Sequence, residues 1–301
     1  MRLVVSGRDG QVAQSLVEHA RDLPGIDVIA VGRPDLDLGD PDSVDAALAA
    51  TRPDIVVSAA AYTAVDRAEE EPDLAFAVNA TGAGAVARAA KRLGVPVLHL
   101  STDYVFAGDA ASPYDETAPT GPRSVYGASK LAGESAVARA NPQHLILRTA
   151  WVYSPFGRNF VRTMLALATE RGAVSVVSDQ FGNPTSAHDI AEALVHAAST
   201  VLASDFDRWG LYHLAGSGET NWSGFARHIF SVSRAAGGPS ADVRDIASRD
   251  YKTKAVRPAN SRLSTDRFHA VFGWRAPDWQ TSTRRVVERL GALHVDASSV
   301  P

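Results

Sequence analysis

The chain has 301 residues, 45% of them apolar and 21% charged, ordinary for a globular protein of about two domains with a full core. Its 30 basic and 34 acidic side chains leave a formal charge of −4, which argues against general nucleic-acid binding, and no apolar run reaches the ~18 residues of a membrane span. The absence of cysteine excludes disulfides, thiolate catalysis and cysteine-held zinc, and a cytoplasmic location is expected.

The opening residues read as a first strand, Leu3–Ser6, and not as a signal peptide, because no small-residue cleavage site follows. Further strands are expected at Val28–Val31, Ile55–Ser58, Val97–Leu100 and Leu145–Arg148. Helices are expected between them near Gln11–Leu23, Pro41–Thr51, Pro72–Leu93 and Val125–Ala140. Alternating strands and helices imply parallel βαβ units, and nearly all-apolar strands imply helices on both faces of the sheet. After Arg148 the pattern loosens into helices near Asn159–Arg171, Asp189–Ala203, Asn221–Ala236 and Gln280–Leu293, with one strand-like run at Leu211–Leu214. Gly237–Ser240 reads as a turn, and Val295–Pro301 as a loose tail. The expected fold class is α/β, a doubly wound parallel (Rossmann) sheet with a smaller α+β substrate-binding domain. Residues 1–150 form the dinucleotide-binding domain, 187–215 return to it, and 151–301 are mainly the substrate domain.

Gly7-Arg8-Asp9-Gly10-Gln11-Val12-Ala13 follows the first strand and opens the first helix. Gly7 allows a tight turn, Gly10 lets the backbone approach a pyrophosphate, and the helix N-terminus offers free amides and a favourable dipole. Ala13 stands where a third glycine is common. The second strand ends in Val31-Gly32-Arg33 with no carboxylate to grip the ribose hydroxyls of NAD. Arg33 therefore favours NADPH over NADH, unless it is simply a solvated surface arginine. Asp37 can accept from an adenine amine and Leu38 can cover the ring. Ala59-Ala60-Ala61 leave room for the cofactor beyond the third strand.

Tyr126-Gly127-Ala128-Ser129-Lys130 places a phenol and an ammonium one helical turn apart. A phenol with an ordinary pKa of about 10 is a poor catalyst near neutrality, and a lysine cation within a few ångströms stabilises its anion. The phenol then exchanges a proton with a substrate oxygen while hydride moves at the adjacent carbon. Ser101-Thr102-Asp103 ends the fourth strand, where an open α/β sheet binds ligands, and offers a hydroxyl to orient that oxygen. His188-Asp189 is read as the cap of the helix starting at Asp189, since no G-x-S-x-G elbow or H-E-x-x-H accompanies it.

These residues, with Ala59-Ala60-Ala61-x-Thr63-x-Val65-Asp66, Ser101-Thr102-Asp103-Tyr104-Val105-Phe106, Arg148-Thr149-x-Trp151-Val152-Tyr153, Asp179-Gln180-Phe181-Gly182-x-Pro184-Thr185 and Arg257-Pro258-x-Asn260-Ser261, resemble the extended short-chain dehydrogenase/reductase superfamily. Within it the order and spacing are similar to the dTDP-4-dehydrorhamnose reductase family, from Met1 to about Leu290. The resemblance implies NADPH- or NADH-dependent reduction of the C4 ketone of dTDP-4-dehydro-β-L-rhamnose, the last step of dTDP-L-rhamnose synthesis. It implies Tyr126 as proton donor, Lys130 as its partner and Thr102 as the residue orienting the ketone. Gly10, Gln11, Val12, Asp37, Leu38, Ala61, Tyr62 and Thr63 would line the cofactor. Thr102, Asp103 and Trp151 would hold the sugar nucleotide, with Val65 near the sugar. Ser15 and His188 stand where some members carry magnesium-holding glutamates, which argues against a metal and against a magnesium-linked dimer, leaving a monomer or a plain homodimer. Arg262 departs from an apolar residue usual at that position, and nothing in the sequence explains it.

From the residues alone, Trp151 and Tyr153 offer aromatic surface to a base, and Arg257 or Arg262 can meet a diphosphate. A lone tryptophan is more often core, and an Arg-Pro more often a turn. Two rival readings share the fold. A 4,6-dehydratase needs an acidic residue directly after the Thr-Asp pair, where this chain has Tyr104, and an epimerase would keep its NAD bound. A non-catalytic NADP-binding regulatory subunit of methionine adenosyltransferase is the other, and retention of Tyr126 with Lys130 argues against it.

Overall fold

In the computed structural model, which describes residues 1–203 and 205–298, the chain runs β1 (Arg2–Ser6), α1 (Gln11–Ala20), β2 (Asp27–Val31), α2 (Pro41–Thr51), β3 (Ile55–Ser58), α3 (Val65–Ala68), α4 (Pro72–Phe76), a π-helical turn (Ala77–Gly82), α5 (Ala83–Leu93), β4 (Val97–Thr102), α6 (Val125–Ala140) and β5 (His144–Thr149). There follow β6 (Val152–Tyr153), α7 (Phe160–Glu170), β7 (Ala173–Val177), β8 (Phe181–Gly182), β9 (Thr185–Ser186), α8 (Ala187–Val201), β10 (Gly210–His213), β11 (Thr220–Asn221), α9 (Trp222–Ala235), β12 (Asp242–Ile246), β13 (Asn260–Ser261), α10 (Asp266–Phe272) and α11 (Trp279–Ser298).

The main sheet has six parallel strands in the order β10-β5-β4-β3-β1-β2. Successive side chains of a strand point to opposite faces, so Leu3 and Val5 enter a core under α1 and α8 while Val4 enters a second core under α2 and α5. The strand order reverses between β1 and β3, and an open α/β sheet binds ligands beyond the carboxyl ends at such a point. β10 arrives from late in the sequence and pairs with β5 from Gly210↔Leu145 to His213↔Arg148. A third core, with Tyr153, Met164, Phe225, Phe230 and Trp279, holds α7, α9 and α11 together.

The helix expected at Pro72–Leu93 is interrupted by the π-turn, and α3 precedes it unannounced. The cause lies in tertiary packing. Asn79 turns inward, accepts from the Tyr62 amide at 2.8 Å and donates to Ser129 Oγ at 2.9 Å. The short pairs β6-β9 and β7-β12 and the trio β11-β8-β13 also lie in the looser half, where no periodic pattern marks them. The cap of α8 is Ser186, whose hydroxyl accepts from the His188 amide at 3.3 Å, so His188 and Asp189 belong to the first turn. The tail expected from Val295 continues α11 to Ser298, and residues 299–301 lie outside those described. Among the described residues no helix is long and apolar enough to cross a membrane.

Candidate active site

A cleft of about 1130 Å³ opens at the switch point between β1 and β3. Gly7, Gly10, Gln11, Val12, Arg33, Asp37, Leu38, Ala61, Tyr62, Thr63, Tyr126 and Lys130 all line it. Gly7 has φ +93°, a left-handed conformation that a side chain resists, and a Cβ there would come within 3.2 Å of Ala60. Gly10 precedes α1, no side chain caps that helix, and Gly10 through Ala13 line the cleft, so its amides are open to an anionic group. Gln11 also reaches into the second half of the chain. Its Oε1 accepts from Ser154 Oγ at 2.9 Å and from Nδ2 of Asn159, the N-cap of α7, at 3.0 Å.

Arg33 is exposed at the cleft mouth, and Arg8, which the sequence reading passed over, stands beside it. Arg8 donates to the Arg33 carbonyl and approaches Asp35 at 3.8 Å. Two arginines therefore stand together at this end of the cleft. Asp37 Oδ1 accepts from the Gly39 amide at 2.9 Å, and Leu38 is buried in the second core beneath its cleft-facing edge. An uncapped helix end, a glycine turn, a long cleft and paired cations fit a phosphorylated dinucleotide.

α6 starts where Ser124 Oγ accepts from the Gly127 amide at 3.1 Å, which fixes Tyr126 in the first turn facing the cleft. Burial pushes the Tyr126 phenol above its ordinary value, a hydrogen bond with Thr102 opposes this, and the charge of Asp103 reinforces it. The Lys130 ammonium is not turned on the phenol as the i,i+4 spacing suggests. It donates to the Leu100 carbonyl at 2.7 Å and approaches His99 Nε2 at 3.4 Å. A buried ammonium must satisfy its donors, and the backbone of β4 is within reach. Burial lowers its pKa to about 8, with the Glu134 carboxylate opposing the shift.

Thr102, Asp103, Val65 and Trp151 do not line the cleft. Thr102 lies behind Tyr126 and donates to Asp103 Oδ1 at 3.0 Å. Asp103 is buried, its Oδ2 has no protein partner, and burial raises its pKa to about 6 against hydrogen bonds from Ser261 and Thr102. Trp151, held at φ +50°, stacks on Trp222 with ring centroids 3.6 Å apart, and Gly182 fits against its indole, where a Cβ would come within 2.5 Å. Val65 begins α3, and the neighbouring Asp66 pairs with Arg257 at 2.8 Å. Arg262 is explained by local contacts: it pairs with Glu219 at 3.1 Å and donates to the Asn260 side chain at 2.8 Å.

Beneath α6 the sheet face is polar. Ser101 Oγ donates to Glu134 at 2.6 Å, Arg148 grips the same carboxylate through two nitrogens at 2.8 and 2.7 Å, and His99 sits between Ser58 and Lys130. Glu134, Ser58 and His99 were missed in the sequence, although His99 is a lone polar residue in the buried run Val97-Leu98-His99-Leu100. At the positions matched to magnesium-holding glutamates, Ser15 is buried, and His188 faces Glu18 at 3.2 Å, which Arg289 already grips at 2.8 Å.

The family described as RmlD substrate binding domain matches residues 1–292. The dTDP-4-dehydrorhamnose reductase of Sinorhizobium fredii is 52% identical over 288 residues, covering 95% of this chain and 97% of its own. The crystal structure of a dTDP-4-dehydrorhamnose reductase from Clostridium acetobutylicum superposes with TM-score 0.89 at 32% identity, covering 96% of this chain and 99% of its own. That of the Bacillus anthracis enzyme in complex with NADP superposes with TM-score 0.88 at 34% identity, covering 95% and 98%. The chain belongs to the RmlD substrate binding domain family, among the dTDP-4-dehydrorhamnose reductases.

Proposed function

We propose that the chain reduces the C4 ketone of dTDP-4-dehydro-β-L-rhamnose to dTDP-L-rhamnose with NADPH, in the cytoplasm, and that it also accepts NADH. The observation that carries this reading is the phenol of Tyr126 beside Lys130, one helical turn apart on α6 and both lining a dinucleotide-sized cleft, in a chain 52% identical to a reductase of that name. Residues 1–150, completed by 187–215, hold the dinucleotide, and residues 151–301 mainly hold the sugar nucleotide. Gly7, Gly10, Gln11 and Val12 take the pyrophosphate, Arg33 with Arg8 takes the 2′-phosphate, and Asp37, Leu38, Ala61, Tyr62 and Thr63 enclose the adenosine and nicotinamide ribose. When bound, NADPH supplies the hydride.

The chain's own residues do the rest. Tyr126 donates its phenolic proton to the ketone oxygen as charge develops there, and Thr102, beside the phenol, orients that oxygen. Lys130 contributes a positive charge beside the developing alkoxide and a donor for the ribose. Asp103, with its unpartnered Oδ2, and Trp151 bind the sugar nucleotide, and Val65 borders the sugar. Arg289 already neutralises Glu18 beside His188, which supports a monomer or plain homodimer over a magnesium-bridged one. The test is oxidation of NADPH by the purified protein on addition of dTDP-4-dehydro-β-L-rhamnose, with dTDP-L-rhamnose identified as product. Oxidation absent with this substrate but present with another nucleotide sugar would overturn the assignment.

A further inference from the structure

β4 is buried throughout, and Leu98 and Leu100 enter the apolar core on the face turned from α6. On the other face His99 is fully buried beside Ser58, its register partner on β3. His99 Nδ1 lies 3.1 Å from Ser58 Oγ and Nε2 lies 3.4 Å from Lys130 Nζ. An imidazole that faces an ammonium through Nε2 must offer a lone pair there, so its proton is on Nδ1 and is donated to Ser58. Resting on the reductase reading above, we propose that His99 is a positioning residue. Locked by Ser58 as a neutral acceptor, it holds the Lys130 ammonium in place beneath the cleft.

Two of the three ammonium donors are then fixed on β4, by the Leu100 carbonyl at 2.7 Å and by His99, and the third remains for the cleft that Lys130 lines. Burial and the Lys130 charge hold the His99 ring well below the ordinary histidine range, which keeps it neutral across working pH. The other titratable groups that act on the pair are Glu134 on α6, beside Lys130, and His144 on β5, beside His99. Glu134 favours the ammonium but is itself gripped by Arg148 and Ser101. Packed from the π-turn side, Asn79 is uncharged and bound to Ser129. His99 is thus the ammonium's side-chain acceptor on the strand, and without it the charged lysine keeps the Leu100 carbonyl there.

The direct test is the titration of Lys130 in ligand-free protein, followed by NMR of ¹³C-labelled lysine and assigned against Lys130→Arg. In the native chain the midpoint is expected near 8. In His99→Leu it should fall by about one pH unit, because the charged form loses an acceptor, and His99→Gln, which restores an acceptor oxygen, should recover most of that shift. The high-pH limb of kcat/KM should move in step with the midpoint. A midpoint unmoved in His99→Leu, or moved equally in His99→Gln, would overturn the proposal. If His99→Leu does not fold, the ring nitrogens of the native chain decide by ¹⁵N NMR. A bare Nε2 supports the proposal, and a proton on Nε2 overturns it. Lack of turnover with the sugar nucleotide would instead remove the reductase reading and leave the Lys130 titration standing.

Discussion

Tyr126 differs from phenylalanine by one oxygen, carried on a side chain that lines the cleft and has Thr102 beside it. Tyr126→Phe should lower turnover by about 10²–10⁴-fold, the usual range for a lost general acid, while NADPH binding measured by fluorescence titration stays near native. Near-native turnover would show that the proton comes from elsewhere. Cofactor choice is decided at the same scale. Arg33 is exposed and makes no ion pair among the described residues, so its guanidinium is available to a 2′-phosphate. Arg33→Ala should weaken NADPH by about tenfold and leave NADH unchanged, the lower end of a charge-assisted pair in solvent. Because Arg8 stands at the same mouth, the double variant Arg8→Ala/Arg33→Ala should lose NADPH preference altogether. Equal weakening of both cofactors by Arg33→Ala would make it a general surface residue.

At the scale of elements, α6, which carries Tyr126 and Lys130, is placed by close approach and not by bulk. A Cβ on Gly133 of α6 would lie 2.1 Å from the Asn79 carbonyl oxygen in the π-turn, so the two backbones meet there. Gly133→Ala should therefore cost about 1–3 kcal/mol in denaturant unfolding and lower turnover, although alanine favours a helix in isolation. Gly172→Ala, with nothing within 4 Å of its added Cβ, is the control and should be neutral or slightly stabilising. A stable, active Gly133→Ala would mean that α6 shifts freely. This helix was legible from sequence to its ends, because Ser124 caps it and Asn141-Pro142 stops it. The π-turn was not, since one extra residue in a helical turn leaves the apolar spacing nearly intact and its cause, Asn79 bonded to Tyr62 and Ser129, is a tertiary contact. The two-residue strands β6, β8, β9, β11 and β13 are too short to show a period of two.

Across the whole molecule, the two halves meet at the start of α1. Gln11 takes hydrogen bonds from Ser154 and Asn159, and Arg289 of α11 reaches Glu18 of α1. Gln11→Ala should cost about 1–2 kcal/mol for two lost hydrogen bonds and raise KM for NADPH, with unfolding still a single transition. Unchanged stability would show that the halves are held by other contacts. That Gly7, Gly10 and Arg33 come together along one cleft could be read from sequence because those residues are close in sequence to the strands that carry them. The surroundings of Trp151 could not: it is stacked on Trp222, 71 positions apart in sequence by their numbers, and its left-handed backbone leaves no mark on residue type. Hydride delivery to C4 of the sugar is traced by isotope transfer. Turnover of dTDP-4-dehydro-β-L-rhamnose with NADPH deuterated at nicotinamide C4 should give dTDP-L-rhamnose carrying deuterium at sugar C4 by NMR, and Tyr126→Phe should nearly abolish that transfer. Deuterium at another carbon, or C4 stereochemistry other than that of L-rhamnose, would contradict the account.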